Sequence, residues 1–274
     1  MKPNVWNKIL AHVALLALAV VFVAPFYWLV VTSLKTDRQV FDTATWYPHP
    51  VMWGNYARAL TYIPFGRYTL NTLLVCGISV FGTVLSCAMV AYSFARIPWK
   101  GRDALFLVVL ATLMLPGQVT LIPVFMIYKW LGWVGSYKPL VVPAFFGSAF
   151  FIFMLRQFFR SIPQELSESA RMDGANEFGI FSRIILPLSR PALATVALLT
   201  FIGAWTDFMG PLLYLNDPNK YTLSLGLQQF VSQHGAEWSM LMAASTVMAL
   251  PIIVLYFLAQ KTFIEGITLT GIKG

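Results

Sequence analysis

The amino-acid sequence predicts an all-α polytopic membrane protein with six transmembrane helices, and three observations carry that expectation. The chain is 58% hydrophobic and only 11% charged, whereas a soluble domain is roughly one-quarter charged. Six stretches are apolar over about the 20 residues that a helix needs to cross a hydrocarbon core about 30 Å thick. Lysine and arginine are also shared unequally between the segments that connect those stretches, as they are across a bilayer.

The first stretch covers residues 9–34. Lys2 and Lys8 precede it, so a cleaved signal peptide is the competing reading. Its apolar run is about twice the roughly 7–15 residues of a signal's hydrophobic region, and a retained helix is expected. The second, 68–95, holds both cysteines. Cys76 and Cys87 would lie about 16 Å apart along a helix, too far for a disulfide, and read as small buried residues. The third, 104–128, contains Pro116, Gly117 and Pro123, which must interrupt it. Freed backbone groups at membrane depth are tolerated only inside protein or beside a water-filled cavity. The kink and Gln118 are therefore placed near a pathway or gate, with a packing kink as the alternative.

The fourth stretch, 139–155, is free of charge. The fifth, 191 to about 215, contains the one charge found in all six, Asp207, roughly 24 Å from Pro191 at helical rise and so towards the outer end. Trp205 and Asp207 would suit a sugar, with a ring for stacking and a carboxylate for hydroxyl groups. Trp205 as an interfacial anchor is the alternative. The sixth stretch is 239–260.

With the N-terminus inside, twelve of the nineteen basic residues fall in cytoplasmic segments, and six spans return the C-terminus to the cytoplasm. The net charge of +8 follows from this topology and from anionic lipid, so no nucleic-acid partner is implied. Segments 35–67 and 216–238 become the sizeable outer loops, the first suited to a small cap of amphipathic turns. The long inner loop is 156–190.

That inner loop reads as two helices and a joint. Ser161 and Gln164 have capping-box spacing, Pro163 fits a first turn, and Glu165 and Glu168 stand early, where the helix dipole favours anions. Gly174 closes this helix, and Asn176 caps a second one that carries Phe178, Phe181, Ile184 and Ile185 and ends before Pro187. An amphipathic helix lying on lipid is the plain reading of such a loop. Few apolar residues, together with Glu165, Glu168 and Asp173 beside an anionic leaflet, favour a protein groove instead.

Glu168-Ser169-Ala170, Gly174 four residues on, Ile184 and Leu186-Pro187 resemble the EAA motif of ABC importer permeases. The surrounding IPQELSESARMDGANEFGIFSRIILPLSRP, LMLPGQVTLIPVF in the third stretch and the ending EGITLTGIKG resemble the maltose-type carbohydrate branch. Ser169 replaces the usual second alanine, and Thr206 stands where the family generally has asparagine.

The resemblance implies a type I ABC importer permease fold, with 1–274 a single transmembrane permease domain and 156–190 its coupling loop. It further implies that Glu168, Ser169, Ala170, Asp173, Gly174 and Pro187 serve docking to an ATPase subunit. Glu168 would pair with an arginine, and Ala170 would allow close approach. Gly271 and Lys273 fall in a tail that also touches the ATPase. The implied partners are a second homologous permease, two ATPase subunits that bind ATP and Mg, an extracytoplasmic solute-binding protein and membrane lipid. The solute would be a sugar or sugar-like compound, moved by alternating access.

No phosphate-binding loop is present, since no Lys follows the second glycine of Gly266-x4-Gly271. His12, His49 and His234 are scattered, so no catalytic or metal site and no cofactor are expected in this chain. A secondary transporter would bury ionisable residues and often show an internal repeat. Only Asp207 and no repeat are seen. A membrane scaffold would need no coupling-type loop, and an exporter does not normally carry this motif in a single inner loop.

Overall fold

The computed structural model describes residues 5–42, 45–232 and 235–268. In chain order the helices are α1 (Val5–Ser33), α2 (Gly54–Tyr62), α3 (Phe65–Arg96), α4 (Arg102–Ala111), α5 (Gly117–Trp130), α6 (Lys138–Val141) and α7 (Ala149–Ser161). They continue as α8 (Glu165–Met172), α9 (Glu177–Ile180), α10 (Leu186–Leu188), α11 (Arg190–Thr206), α12 (Met209–Tyr214), α13 (Leu223–Gly226) and α14 (Trp238–Thr268). A two-residue hairpin, β1 (Val231–Ser232) with β2 (Gly235–Ala236), is the strand content of the described residues. Two compact units result. One is Met1–Gly66 with Gly226–Pro251, the other Arg67–Leu225 with Ile252–Gly274.

Among the described residues four helical segments are long and apolar enough to cross a bilayer: Trp6–Ser33, Phe65–Arg96, Lys138–Ser161 and Trp238–Gln260. Two bent pairs bring the number to six when each counts as one span. Arg102–Met114 meets Gly117–Trp130 at 99°, and Glu177–Leu188 meets Arg190–Thr206 at 78°. The interruption expected in the third stretch falls at Pro116, whose extended backbone (φ −63°, ψ 134°) caps α5. Pro123 lies inside α5, so it does not break the helix as expected.

The fifth stretch is shorter than the expected 191–215. Helix α11 stops at Thr206, and Asp207 is its extended C-cap (φ −63°, ψ 117°). The Asp207 carboxylate accepts the Gly210 N–H at 3.0 Å and its carbonyl accepts the Ser224 hydroxyl. An aspartate that offers the chain local bonds of this kind competes with helix continuation.

The fourth span is irregular in its first half. A 3-10 turn, Val142–Phe146, leads to Gly147 at φ +83° before α7 begins. Helix α3 satisfies the backbone groups freed there. Ser86 donates to the Ala144 carbonyl at 2.9 Å, Ser79 to that of Leu140 at 3.4 Å, and the Cys87 sulfur accepts the Ser148 N–H at 3.2 Å. Ser79 and Ser86 are two turns apart and share one face of α3, which is how non-helical backbone survives at membrane depth.

The core of this unit gathers around the far end of α3. Cys87, Ala88, Ala91, Tyr92 and Phe94 pack with Ile152, Leu155, Phe158 and Phe159 of α7, and with Ile180, Phe181, Ile185 and Val196. The α7 positions follow an i, i+3, i+6, i+7 pattern, one stripe of a helix.

In the first unit, Asn55 of α2 donates to the Ser33 and Lys35 carbonyls at 2.9 and 2.8 Å, and so caps the end of α1. The buried Lys35 ammonium sits 4.5 Å from the centroid of the Trp28 ring. The segment from Asp37 to Tyr62 holds a 3-10 turn and the short helix α2. None of the most apolar window of α1 is buried.

Candidate coupling site

Helix α8 is two turns long and closed by a tight C-terminal motif. The Ala175 N–H reaches the Ala170 carbonyl at 2.9 Å, and the Gly174 N–H reaches that of Arg171 at 3.0 Å. These are the two bonds of a Schellman cap, which needs a left-handed residue. Gly174 supplies it at φ +81°. Three residues later the chain starts again, with the Asn176 carboxamide accepting the Gly179 N–H at 2.8 Å. Gly174 and Asn176 thus occupy the positions that the sequence assigned to them.

Other local expectations are overturned. Ser161 belongs to α7 and donates to its Phe158 carbonyl at 2.7 Å, so it forms no capping box, and Gln164 precedes α8 with no side-chain cap. Pro163 ends α7 instead of opening α8, because the residue before proline is pushed out of helix. Ile162 is indeed extended (φ −71°, ψ 133°). Pro187 does not terminate the second helix, since it lies within α10. A π turn, Phe181–Ile185, comes just before it, and the Leu186 N–H bonds five residues back to Phe181. That wider turn relieves the clash of the proline ring with the preceding carbonyls.

Glu168, Ser169 and Asp173 are exposed. Among the described residues the Glu168 carboxylate makes no hydrogen bond or ion pair. The Ser169 hydroxyl returns to the Glu165 carbonyl at 2.9 Å. Ala170 faces inward, packed on the core cluster, so its small size serves contact with the chain's own interior. Two exposed apolar side chains that were not assigned to docking, Met172 at 88% and Phe178 at 73% exposure, stand on either side of the Gly174 joint along the chain. A concavity of about 400 Å³ is edged by Gly174, Asn176, Phe178 and Arg183.

The anchoring of this loop was not foreseen in the sequence. Glu177 accepts Arg171 Nε on Oε1 at 2.8 Å and the Tyr92 hydroxyl on Oε2 at 2.7 Å. Arg96, at the end of α3, donates to the carbonyls of Phe159 and Ile162 at 2.6 and 2.5 Å. In return Arg156 of α7 donates to the Phe94 carbonyl at 3.2 Å, pairs with Asp103 at 3.1 Å and lies 4.0 Å from the Phe106 ring centroid. Arginines at helix C-termini satisfy orphan carbonyls and complement the dipole. Read only as topology markers, these two cross-brace α3 and α7. Their hydrogen-bond partners lie 53 to 66 residues away, beyond any local pattern.

The residues assigned to a pathway are not brought together. Gln118 is exposed in the first turn of α5. Trp205 is only 1% exposed, with its ring stacked on Phe201 at 5.5 Å. Asp207 borders a cavity of about 280 Å³ with Ser79, Thr200 and Thr222. Gly271 and Lys273 lie outside the described residues, as does His234. No group of three or more metal-ligating side chains occurs among the described residues.

Comparison with known proteins gives one consistent answer. The family described as binding-protein-dependent transport system inner membrane component matches residues 82–268. The chain is 34% identical to the probable ABC transporter permease protein YurM of Bacillus subtilis, over 91% of this chain and 83% of the relative. It is 32% identical to the trehalose/maltose transport system permease protein MalG of Thermococcus litoralis, over the whole of both. A crystal structure of a bacterial ABC transporter involved in alginate import superposes with a TM-score of 0.84 at 23% identity, over 96% of this chain and 99% of that one. The chain belongs to the family of inner membrane components of binding-protein-dependent transport systems: it is a multi-pass ABC importer permease subunit and not an enzyme.

Proposed function

We propose that this subunit forms half of the translocation pathway for a sugar or sugar-like solute, beside a related but non-identical permease. Two ATPase subunits bind ATP and Mg and drive it, an extracytoplasmic binding protein delivers the solute, and both termini are cytoplasmic. The names of the relatives support the solute class, since they include the arabinooligosaccharide permease AraQ and the trehalose/maltose permease MalG. The basic-residue asymmetry supports the orientation.

The observation that carries the coupling reading is the form of α8. A lever must be stiff, exposed at its tip and fixed at its base. Helix α8 is closed by two backbone bonds, presents an unpaired carboxylate at Glu168 and an exposed Met172 one turn on, and seats Ala170 on the core. On this reading Glu168 meets an arginine in the ATPase groove, in a charge-assisted pair worth about 1.5–3 kcal/mol. Ser169, Asp173 and Gly174 shape the docked end, Pro187 the return to the membrane, and Gly271 and Lys273 add a second contact. Gln118 and Asp207 are retained as pathway candidates. Trp205 would have to turn out of its stack to take part.

Reconstitution tests this. Proteoliposomes holding both permeases and both ATPase subunits should take up radiolabelled malto- or arabino-oligosaccharide only with ATP and the binding protein. ATP-independent uptake driven by an ion gradient would overturn the proposal.

A further inference from the structure

A glycine joint such as Gly174 would let α8 pivot unless something beyond it fixed the direction of the helix. A pivoting lever delivers little movement to the spans. Backbone bonds close the helix end but do not fix the direction of α8 relative to α3. Ala170 packing gives a contact without polar directionality.

One carboxylate bridges the joint. Glu177 stands beyond Gly174, and its two oxygens point to different elements. Oε1 takes Arg171 of α8 at 2.8 Å, and Oε2 takes the Tyr92 hydroxyl of α3 at 2.7 Å. Tyr92 is itself buried, and its ring lies 5.1 Å from that of Phe181 in the π turn. Arg171 thus hangs from the same group that is tied to the second span. The Arg171 and Glu177 side chains are 36% and 42% exposed, so the ion pair alone holds weakly. Its use lies in direction, because three elements share one acceptor.

We propose that Glu177 is a positioning residue that transmits movement of α8 to α3 through Tyr92. This rests on the reading of α8 as the ATPase-docking lever. A displacement of α8 pulls Arg171, then Glu177, then the buried Tyr92, and so turns the end of α3 with the helix. Without the bridge, α8 still docks but rotates about Gly174, and ATP hydrolysis no longer responds to events on the far side of the membrane.

The test is ATP hydrolysis by the complete transporter in nanodiscs, with and without its binding protein, alongside co-purification of the ATPase subunits. Glu177→Gln removes the charge and leaves a single acceptor. It should retain the ATPase subunits and lose about three- to tenfold of the stimulation by the binding protein, the scale of one hydrogen bond. Tyr92→Phe keeps the ring and should lower stimulation in the same way. The double variant should be no worse than Glu177→Gln alone. Unchanged stimulation in either single variant, or additive losses in the double, would overturn the proposal. Loss of ATPase co-purification in Tyr92→Phe would overturn it too, by making the bridge merely structural. Glu168→Ala, run in parallel, should shed the ATPase subunits. If it keeps them, the docking reading fails and this one with it, whereas shedding with normal Glu177→Gln stimulation defeats the positioning role alone.

Discussion

Replacing Gly174 by alanine isolates the conformational requirement of the α8 joint. A Cβ built at Gly174 would meet no atom within 4 Å, so any cost comes from backbone conformation and not from space. Gly174 has φ +81°, where an L residue with a Cβ pays about 1–2 kcal/mol. Alanine can hold the strained cap, or relax and lose the bonds from Ala175 to Ala170 and from Gly174 to Arg171. Either way the docking-competent form loses about 1–2 kcal/mol, a factor of roughly 5–30 in population. Apparent affinity falls by the same factor. Titration of the solubilised permease pair with its purified ATPase subunit should therefore show weaker binding of that size for Gly174→Ala. Gly174→Asn should fall between it and wild type, because asparagine tolerates the left-handed region better. Unchanged affinity for Gly174→Ala, or Gly174→Asn weaker than Gly174→Ala, would refute the reasoning.

Three further outcomes are expected. Ser182→Cys should react with an impermeant maleimide only from the cytoplasmic side and Ser232→Cys only from the outside; the native Cys76 and Cys87 are fully buried and give little background. Labelling of both from one side would refute the orientation. Gly147→Ala should lower the thermal stability of the solubilised subunit by more than the roughly 1–2 kcal/mol of its φ of +83°, since its Cβ would also sit 3.0 Å from the Ile152 Cδ1. Ser86→Ala, which leaves the Ala144 carbonyl without that donor, should cost about 1 kcal/mol in the same melt; no shift in either variant would contradict the account of the fourth span.

Much of the fold was legible because hydrocarbon thickness constrains helix length so strongly that apolar runs alone locate the spans. The ends of α8 were legible for a local reason: Gly174 and Asn176 act on backbone groups within five residues of themselves. What escaped depends on distant partners. Ser161 has the spacing of a cap, yet Arg96 holds the Phe159 and Ile162 carbonyls around the end of α7, and the helix runs through the serine. Asp207 was read as a charge within a span, although its bonds to Gly210 and Ser224 end the helix there. Ala170 was given a docking role by the motif, and its packing against the chain's own core is visible only in the fold. Glu177 carries no local signal of its role, since its bond to Tyr92 spans 85 residues. The outer segment 216–238 read as one loop. Its first part is tied to the start of α3, with Asn71 donating to the Asn219 and Tyr221 carbonyls at 3.0 and 2.9 Å. The part beyond Leu225 belongs to the other unit.

The central claim is that Glu168 joins ATP hydrolysis to movement of this subunit by docking. Its most direct measurement is the affinity of the permease pair for its ATPase subunit with Glu168→Ala, read beside transport in proteoliposomes. Removing one partner of a charge pair in a partly dry groove costs about 3–5 kcal/mol, so binding should weaken by at least a hundredfold and most transport should be lost. Membrane insertion should be unchanged, because the Glu168 carboxylate, the group removed, makes no hydrogen bond or ion pair among the described residues. A charge exchange with the partner arginine should restore both activities. Wild-type affinity and wild-type transport in Glu168→Ala would contradict the account.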